Sequence, residues 1–414
     1  MSEHLSTDII VVGTGLVGLS AAISLASANK KIVLINSNLI GNNKENTDNF
    51  NDINKESTQQ NNNEKGNHSD WEARVYALTI ESIAWLESIG VWDYVDKSRL
   101  GCINQMQLWT NERNAPLILK DSDAHLNKLG FIIENKNLMQ AFWQHINALD
   151  ITIVKIADFD KLDYSQADKI TLTLNNAQTM TANLVVAADG ASSWVRAQTN
   201  VGVTIKSFDQ TAIVANFKIE KNHQNIANQW FKSHDTLALL PLPDNMVSMV
   251  WSVKNLKAAQ LLSLNAVDLA QEVYDHSNGL LGRLTPIGLI QSFALNQQTA
   301  EHLIANRIVF VGDSAHQIHP LAGQGVNMGF RDVMQLQRLM AKVHTMQDIG
   351  ERSFLRRYER NRRADIVAIN TLTSGLDWLF SRENSAINAG INWGFTQINK
   401  QLTVKRLLIQ AATI

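Results

Sequence analysis

Three glycines near the start of the chain have the spacing of a phosphate-binding turn. Gly13, Gly15 and Gly18 follow an apolar run, 8–12, and precede a stretch of small and apolar residues, 16–28. The first glycine allows a tight bend, the second lets the backbone approach a pyrophosphate, and the third allows close helix packing. The string predicts a dinucleotide site at a helix N-terminus, although alone it also fits a plain tight turn.

The elements around these glycines indicate a parallel sheet. A second apolar run, 31–35, follows the helix, and a strand, a helix and a strand of this length form a βαβ unit. The end of the second strand normally carries an acid for the ribose hydroxyls, but Asn36 holds that place. An amide binds the hydroxyls without charge assistance, so we expect weaker ribose binding.

Two aspartates follow later apolar runs. Asp189 and Gly190 come after the run LVVAA, and Asp313, with His316 three residues on, comes after the run IVFV. Ligands of open parallel sheets bind outside the carboxyl ends of the strands. Either motif alone fits a turn, but together with the glycines they predict three segments that meet at one sheet edge.

A glycine-rich stretch, 319–332, follows the second aspartate. A helix that begins near Gly325 to Asn327 would direct free N–H groups at a ligand carbonyl or a developing anion. His316 and His319 flank this stretch, and each is a candidate for proton relay or for hydrogen bonding within the loop. Their spacing also occurs in metal sites, but a proline follows directly and no third ligand is near, so we expect no metal.

The motifs in this order resemble those of FAD-dependent aromatic hydroxylases of the p-hydroxybenzoate hydroxylase type. The string HPLAGQGVNMGFRD is similar to the signature of one branch, the ubiquinone-biosynthesis hydroxylases (UbiH/UbiF/VisC). The resemblance extends over nearly the whole chain apart from 41–70, and it includes the strings RVYALT, EN and YER.

The resemblance implies FAD as the cofactor. The residues that it places along the adenosine, pyrophosphate and ribityl part are Gly13, Gly15, Gly18, Asn36, Asp189, Gly190 and Asp313. Asp313 is expected to hydrogen-bond the ribityl or pyrophosphate region. Asp189 with Gly190 is expected to border the FAD phosphates and the entry of NAD(P)H.

Further residues are implied near the flavin ring. Those expected to line the isoalloxazine are Pro320, Gly323, Gln324, Gly325 and Asn327. His316, His319 and Pro320 are the candidates for a catalytic part. Arg74 matches an arginine near the cofactor, and Lys136 stands where relatives commonly carry arginine, so the bidentate fork is lost there.

The implied activity is hydroxylation of the aromatic ring of a polyprenylphenol in ubiquinone biosynthesis, through a flavin hydroperoxide. The chain has no second glycine fingerprint, so NAD(P)H is expected as a transient reductant. The alternatives are a hydroxylase of a small soluble aromatic and a non-catalytic flavoprotein scaffold of a biosynthetic complex.

Composition bounds the partners and the compartment. The 414 residues carry 37 Lys and Arg against 39 Asp and Glu, which provides no global field for nucleic acid. One cysteine, Cys102, forms no intramolecular disulfide. We find no signal sequence and no long apolar run, so we expect a cytoplasmic protein. The basic stripe at 356–363 and the stretch 404–414 fit plain helix packing. The alternative is that they make peripheral contact with the inner face of the membrane or with a biosynthetic complex.

The predicted fold class is α/β, with a Rossmann-like FAD-binding domain, an inserted antiparallel substrate sheet and a C-terminal helical region. The FAD-binding segments are 1–104, 134–201 and 284–345, with a disordered asparagine-rich insertion at 41–70. The substrate domain is 105–133 and 202–283, and the helical region is 346–414. Phe217, Trp230 and Trp251 of the substrate sheet either face a quinone-like ring or pack in its core.

Overall fold

The computed structural model describes residues 4–27, 30–37, 71–110, 115–156, 159–176, 178–232, 235–318, 325–343, 347–380 and 385–413. The strands are β1 (His4–Ser6), β2 (Ile9–Val12), β3 (Ile32–Ser37), β4 (Val75–Thr79), β5 (Gly101–Ile103), β6 (Gln105–Trp109), β7 (Leu117–Lys120), β8 (Gly130–Glu134), β9 (Thr152–Ile156), β10 (Phe159–Asp163), β11 (Ile170–Leu174), β12 (Thr179–Ala182), β13 (Leu184–Ala187), β14 (Val203–Ile219), β15 (Ile226–Lys232), β16 (Asp235–Leu242), β17 (Met246–Lys254), β18 (Leu284–Ala300), β19 (Ile304–Ala305), β20 (Ile308–Phe310) and β21 (His316–Gln317). The α-helices are α1 (Leu16–Ala26), α2 (Ile80–Ser88), α3 (Asn135–Ile146), α4 (Trp194–Gln198), α5 (Asn255–Leu262), α6 (Ala266–His276), α7 (Gly325–Met340), α8 (Arg352–Phe380), α9 (Ser385–Lys400) and α10 (Leu402–Thr413). The predicted insertion 41–70 lies outside the described residues.

A six-stranded sheet in the order β19-β20-β13-β2-β3-β9 holds the glycine fingerprint. Every neighbouring pair is parallel except β19 with β20. The strands β2, β13 and β20 are buried along their whole length, which is why they are unbroken apolar runs without alternation. This sheet, with α1 packed against α3 and α7, confirms the predicted α/β class.

The asparagine turn at 175–176 predicts two strands over the segment 170–188, and the structure differs from this prediction. The structure has three: β11 and β12 form an antiparallel hairpin, and β13 leaves it to join the parallel sheet beside β2. The break lies at Asn183, whose N–H donates to the Asp8 carbonyl at 3.1 Å. Apolar alternation alone does not reveal that one run serves two sheets.

An eight-stranded sheet, ordered β21-β18-β14-β17-β16-β15-β6-β7, includes the segments predicted for the substrate sheet. One face packs against α5 and α6. Phe217, Trp230 and Trp251 are only 1%, 3% and 1% exposed and belong to that core. Of the two interpretations of these aromatic residues, core packing is therefore the correct one.

The two longest strands lie side by side in this sheet. β14 and β18 are antiparallel over most of their length, with irregular register between Val214 and Asn216. The predicted domain boundary assigned 284–300 to the FAD-binding part, whereas the pairing places this segment in the eight-stranded sheet. The other domain boundaries stay predictions.

Helices α8 to α10 form the end of the chain, in agreement with the predicted helical region. Lys405 forms an ion pair with Asp123, and Arg406 contacts the Asp123 carbonyl and the His125 ring. Both basic residues of α10 are thus engaged with the protein itself. In the described ranges, no helix combines the length and the apolar character needed to cross a membrane.

His276 on α6 predicts a pH dependence of stability. Its ring lies 5.0 Å from that of Trp251, and burial, with Lys232 and Lys257 nearby, lowers its pKa from 6.5 to about 3. Between these two values the unfolded chain binds more protons than the folded chain, so the free energy of unfolding falls as the pH decreases from 7.

We therefore expect wild type to lose about 1–2 kcal/mol more than His276→Gln between pH 7 and pH 5, measured by urea unfolding at both pH values. Equal losses in the two proteins would contradict the assignment to His276.

Candidate functional site

The carboxyl ends of three strands lie together at one edge of the parallel sheet. Ala187 of β13 is opposite Val12 of β2 and Phe310 of β20. The next residues in each strand lead to Gly13, Asp189 and Asp313. The three motifs, distant in sequence, are thus neighbours in the fold.

The glycine turn packs closely against the protein at Gly13 and Gly18 and is open at Gly15. Gly13 has φ +110°, and a Cβ there would lie 2.3 Å from the Ala188 carbonyl oxygen. A Cβ on Gly18 would lie 1.9 Å from the Gly13 oxygen, whereas one on Gly15 would meet nothing within 4 Å. Gly15 is the exposed N-cap of α1, and no side chain caps that terminus. Free N–H groups beside open space fit a pyrophosphate.

Asn36 forms a neutral pair with the glycine turn. It lies at the end of β3, and its Oδ1 accepts a hydrogen bond of 3.0 Å from the Thr14 hydroxyl. The pair stands where an acid normally binds ribose, and no described residue accepts a hydrogen bond from the amide nitrogen of Asn36.

Asp189 supports its own loop. Its Oδ2 accepts from the Val195 N–H at 3.0 Å, while its buried Oδ1 has no partner among the described residues. Burial raises the pKa of this carboxyl, against hydrogen bonds from Ser193 and Val195. Gly190 follows with φ +84°. A buried acceptor without a partner, beside a turn at the sheet edge, is consistent with a bound group nearby.

Arg196 ties the Asp189 loop to the Asp313 loop. Its guanidinium donates to the carbonyl oxygens of Ala191 and Ser314, each at 2.6 Å. This buried link fixes the spacing of the two loops.

Asp313 differs from Asp189 in the exposure and in the hydrogen bonds of its side chain. Its side chain is exposed at the sheet edge, near the exposed Arg74, and we call the space between these two side chains the recess. No described residue donates a hydrogen bond to the Asp313 carboxylate. The surrounding protein still desolvates the carboxyl and raises its pKa, while His316 and Arg74 act against that rise. An acceptor held open in this way fits a hydroxyl-bearing ligand.

Arg74 lies on the other side of the recess, between two aromatic rings. Its guanidinium carbon is 5.5 Å from the Tyr76 ring centre and 5.8 Å from that of Phe293. Phe293 comes from β18 of the eight-stranded sheet and is 41% exposed. Sequence reasoning missed Phe293, because the predicted boundary assigned its segment to the FAD-binding part and not to the substrate sheet.

Asn327 and Lys136, both expected near the flavin ring, make contacts that the motifs did not predict. The Asn327 amide is fully buried, donates to the Ala77 carbonyl at 2.8 Å and accepts from the Thr79 N–H at 3.2 Å, so its side chain joins α7 to β4. The Lys136 N–H donates to the Glu72 carboxylate at the start of α3, and its side chain is exposed. Glu72 is a further residue that the motifs did not indicate.

The glycine-rich stretch 319–332 is described from residue 325 onward. Gly325 is the exposed first residue of α7 and has open space around its α-carbon. His316 is 2% exposed and its Nε2 lies 2.7 Å from Asp332 Oδ2, a contact that fits hydrogen bonding within the loop. A part of His316 in proton relay stays a prediction. His319, Pro320, Gly323 and Gln324 lie outside the described residues.

The fold is that of FAD-dependent monooxygenases. The p-nitrophenol 4-monooxygenase PnpA of Pseudomonas putida superposes with a TM-score of 0.73 at 16% identity, over 99% of this chain and 98% of that one. HpxO of Klebsiella pneumoniae, solved with FAD, gives 0.68 at 13% identity, over 98% and 97%.

Sequence comparison is more specific. Family models described as FAD binding domains match residues 163–371 and 8–39. Ubiquinone hydroxylase UbiL of Rhodospirillum rubrum is 30% identical over 98% of this chain and 89% of that protein. The 3-demethoxyubiquinol 3-hydroxylase of Escherichia coli is 30% identical over 75% and 78%.

The chain belongs to the FAD-dependent hydroxylases of ubiquinone biosynthesis. FAD as the cofactor and aromatic-ring monooxygenation as the activity, both implied by the motifs, are thereby confirmed.

The neutral pair at the ribose position predicts that Asn36→Asp tightens FAD binding. A charge-assisted hydrogen bond exceeds a neutral one by about 1 kcal/mol, so we expect a Kd about fivefold lower. The measurement is a titration of apoprotein with FAD, monitored through the quenching of flavin fluorescence.

Asn176→Asp, in the exposed turn after β11, adds the same charge elsewhere and is the control. An unchanged or higher Kd for Asn36→Asp would show that this residue does not contact the ribose.

Proposed function

We propose that the chain hydroxylates the ring of a polyprenylphenol, with FAD bound along the edge where β2, β13 and β20 end. The observation that carries this proposal is the meeting of Gly13, Asp189 and Asp313 at that edge in a chain of this family. NAD(P)H is the proposed reductant and binds only transiently.

The proposed contacts follow from the open groups of the site. The N-terminus of α1 at Gly15 binds the pyrophosphate, and Asp313 accepts a hydrogen bond from the ribityl chain. Thr14 and Asn36 bind the adenosine ribose. When bound, FAD supplies the activation of O₂ and the oxygen atom that enters the ring.

The proposed substrate ring lies on the face of the eight-stranded sheet that carries Phe293. Phe293 is paired across the strands with Ala212, so a small side chain borders the exposed Phe293 ring. An aromatic substrate stacks on Phe293 and excludes water from the oxygen-transfer step. Arg74, beside Phe293, provides positive charge for the oxygen of a phenolate.

This proposal predicts the behaviour of purified protein. Protein that binds FAD stoichiometrically is expected to consume O₂ faster when a prenylated phenol is added with NADPH, and to form the hydroxylated product. In Phe293→Ala we expect about a tenfold lower yield of product per O₂, with the remainder as hydrogen peroxide, because the ring is no longer held in place.

Phe293→Leu, which keeps an apolar wall, should recover part of that yield. Wild-type protein that stays colourless with added FAD, or consumes O₂ without any dependence on the phenol, would contradict the proposed function.

We also propose that α8 contacts an anionic membrane surface, where a polyprenyl substrate resides. Exposed arginines cover the first part of α8: Arg352, Arg356, Arg357, Arg360 and Arg363. On the adjoining helices, Trp393 is 68% and Leu407 61% exposed. Exposed basic and exposed apolar side chains both suit the interface of an anionic bilayer.

Co-sedimentation with vesicles tests this contact. We expect binding to phosphatidylglycerol vesicles and little binding to phosphatidylcholine, with about a fivefold loss for the Arg356→Gln, Arg360→Gln double variant. The double variant Lys161→Gln, Lys169→Gln removes the same charge from the β10–β11 hairpin and should bind as wild type does. Equal losses in both would contradict a role specific to α8.

A further inference from the structure

One buried carboxylate holds both ends of the loop that presents Asp313. Asp332 on α7 is fully buried. Its Oδ2 accepts from the Gly312 N–H at 2.8 Å and lies 2.7 Å from His316 Nε2. Gly312 and His316 stand immediately before and three residues after Asp313, so a single oxygen sets the geometry on both sides of it.

The remaining contacts of this loop leave it little freedom. The Ser314 hydroxyl donates to the Ala187 carbonyl at 2.6 Å. Gly312 has φ +61°, and a Cβ there would lie 3.1 Å from Val17 of α1. The backbone is therefore fixed around Asp313, while the Asp313 carboxylate itself faces the recess.

The second oxygen of Asp332 connects this loop to α8. Arg362 Nε donates to Asp332 Oδ1 at 2.6 Å, and the Arg362 side chain is 4% exposed. Burial opposes ionisation of Asp332, yet His316 and Arg362 hold the pKa of this carboxyl below its ordinary value. A buried anion with these partners is stabilised, and loss of one partner leaves unpaired groups in the interior.

We infer that Asp332 is a positioning residue for FAD, which acts through the Gly312–His316 loop and is itself held by Arg362. This inference rests on the proposed contact between Asp313 and the cofactor. It assigns the aspartate that ends the HPLAGQGVNMGFRD string to support of the Asp313 loop, at a place where it touches no ligand itself.

A double-mutant cycle tests the inference. Asp332→Asn is close in size but replaces one acceptor oxygen with a donor, so we expect about a tenfold higher Kd for FAD in titrations of apoprotein. In an Asp313→Ala background the same change should alter the Kd by less than about twofold, because the residue through which it acts is gone. The absorption spectrum of bound flavin should also shift in Asp332→Asn.

Asp348→Asn is the matched control, since it removes a carboxylate from the buried Arg307 at the start of β20. It should lower the melting temperature of apoprotein and leave the Kd within about twofold. If Asp332→Asn does not fold, His316→Gln is measured in the same cycle, because it removes one of the two contacts of Oδ2.

The outcomes separate the two levels of the argument. Asp313→Ala without effect on the Kd would refute the proposed cofactor contact. Asp313→Ala with a raised Kd, but Asp332→Asn and His316→Gln without effect, would overturn the positioning role alone. Equal effects of Asp332→Asn in both backgrounds would also overturn it, since the residue would then act through general stability.

Discussion

Parallel pairing of β13 with both β2 and β20 is the constraint on which the rest of the structure depends. It places the residues after Val12, Ala187 and Phe310 side by side, whatever the length of chain between them. Because the strands are buried, a shift of register would displace all their apolar contacts. The edge at which we propose that FAD binds is thus determined by the same packing that holds the parallel sheet together.

The chain leaves this sheet and returns to it through the eight-stranded sheet, and the two are joined by specific contacts. β14 begins soon after the Asp189 loop, and β18 ends soon before the Asp313 loop. The Asn216 amide donates to the Glu72 carbonyl at 3.0 Å, two residues before Arg74. The strand that carries Phe293 is consequently held near Arg74, and the proposed function requires such a connection in order to place a substrate ring against the flavin.

The predictable parts were those encoded in local pattern. The glycine turn, the strand before it and α7 beginning at Gly325 follow from residue type and spacing. The roles of Asn327, Asp332 and Phe293 did not, because each depends on a partner distant in sequence: the backbone of β4, the Gly312 amide, and Arg74. Strand periodicity identified the aromatic sheet around Trp251, but it did not show that Phe293, in a segment predicted for the FAD-binding part, belongs to the same sheet. The split of 170–188 into two sheets likewise depends on pairing that a local apolar run does not reveal.

The most direct test of the account is a crystal structure of the chain with FAD. The account predicts the pyrophosphate at the N–H groups of the first turn of α1, and the Asp313 carboxylate within about 3 Å of a ribityl hydroxyl. The Gly312 and His316 contacts of Asp332 should be the same as in the structure described above. FAD bound away from the carboxyl ends of β2 and β20, or Asp313 turned away from it, would contradict the account.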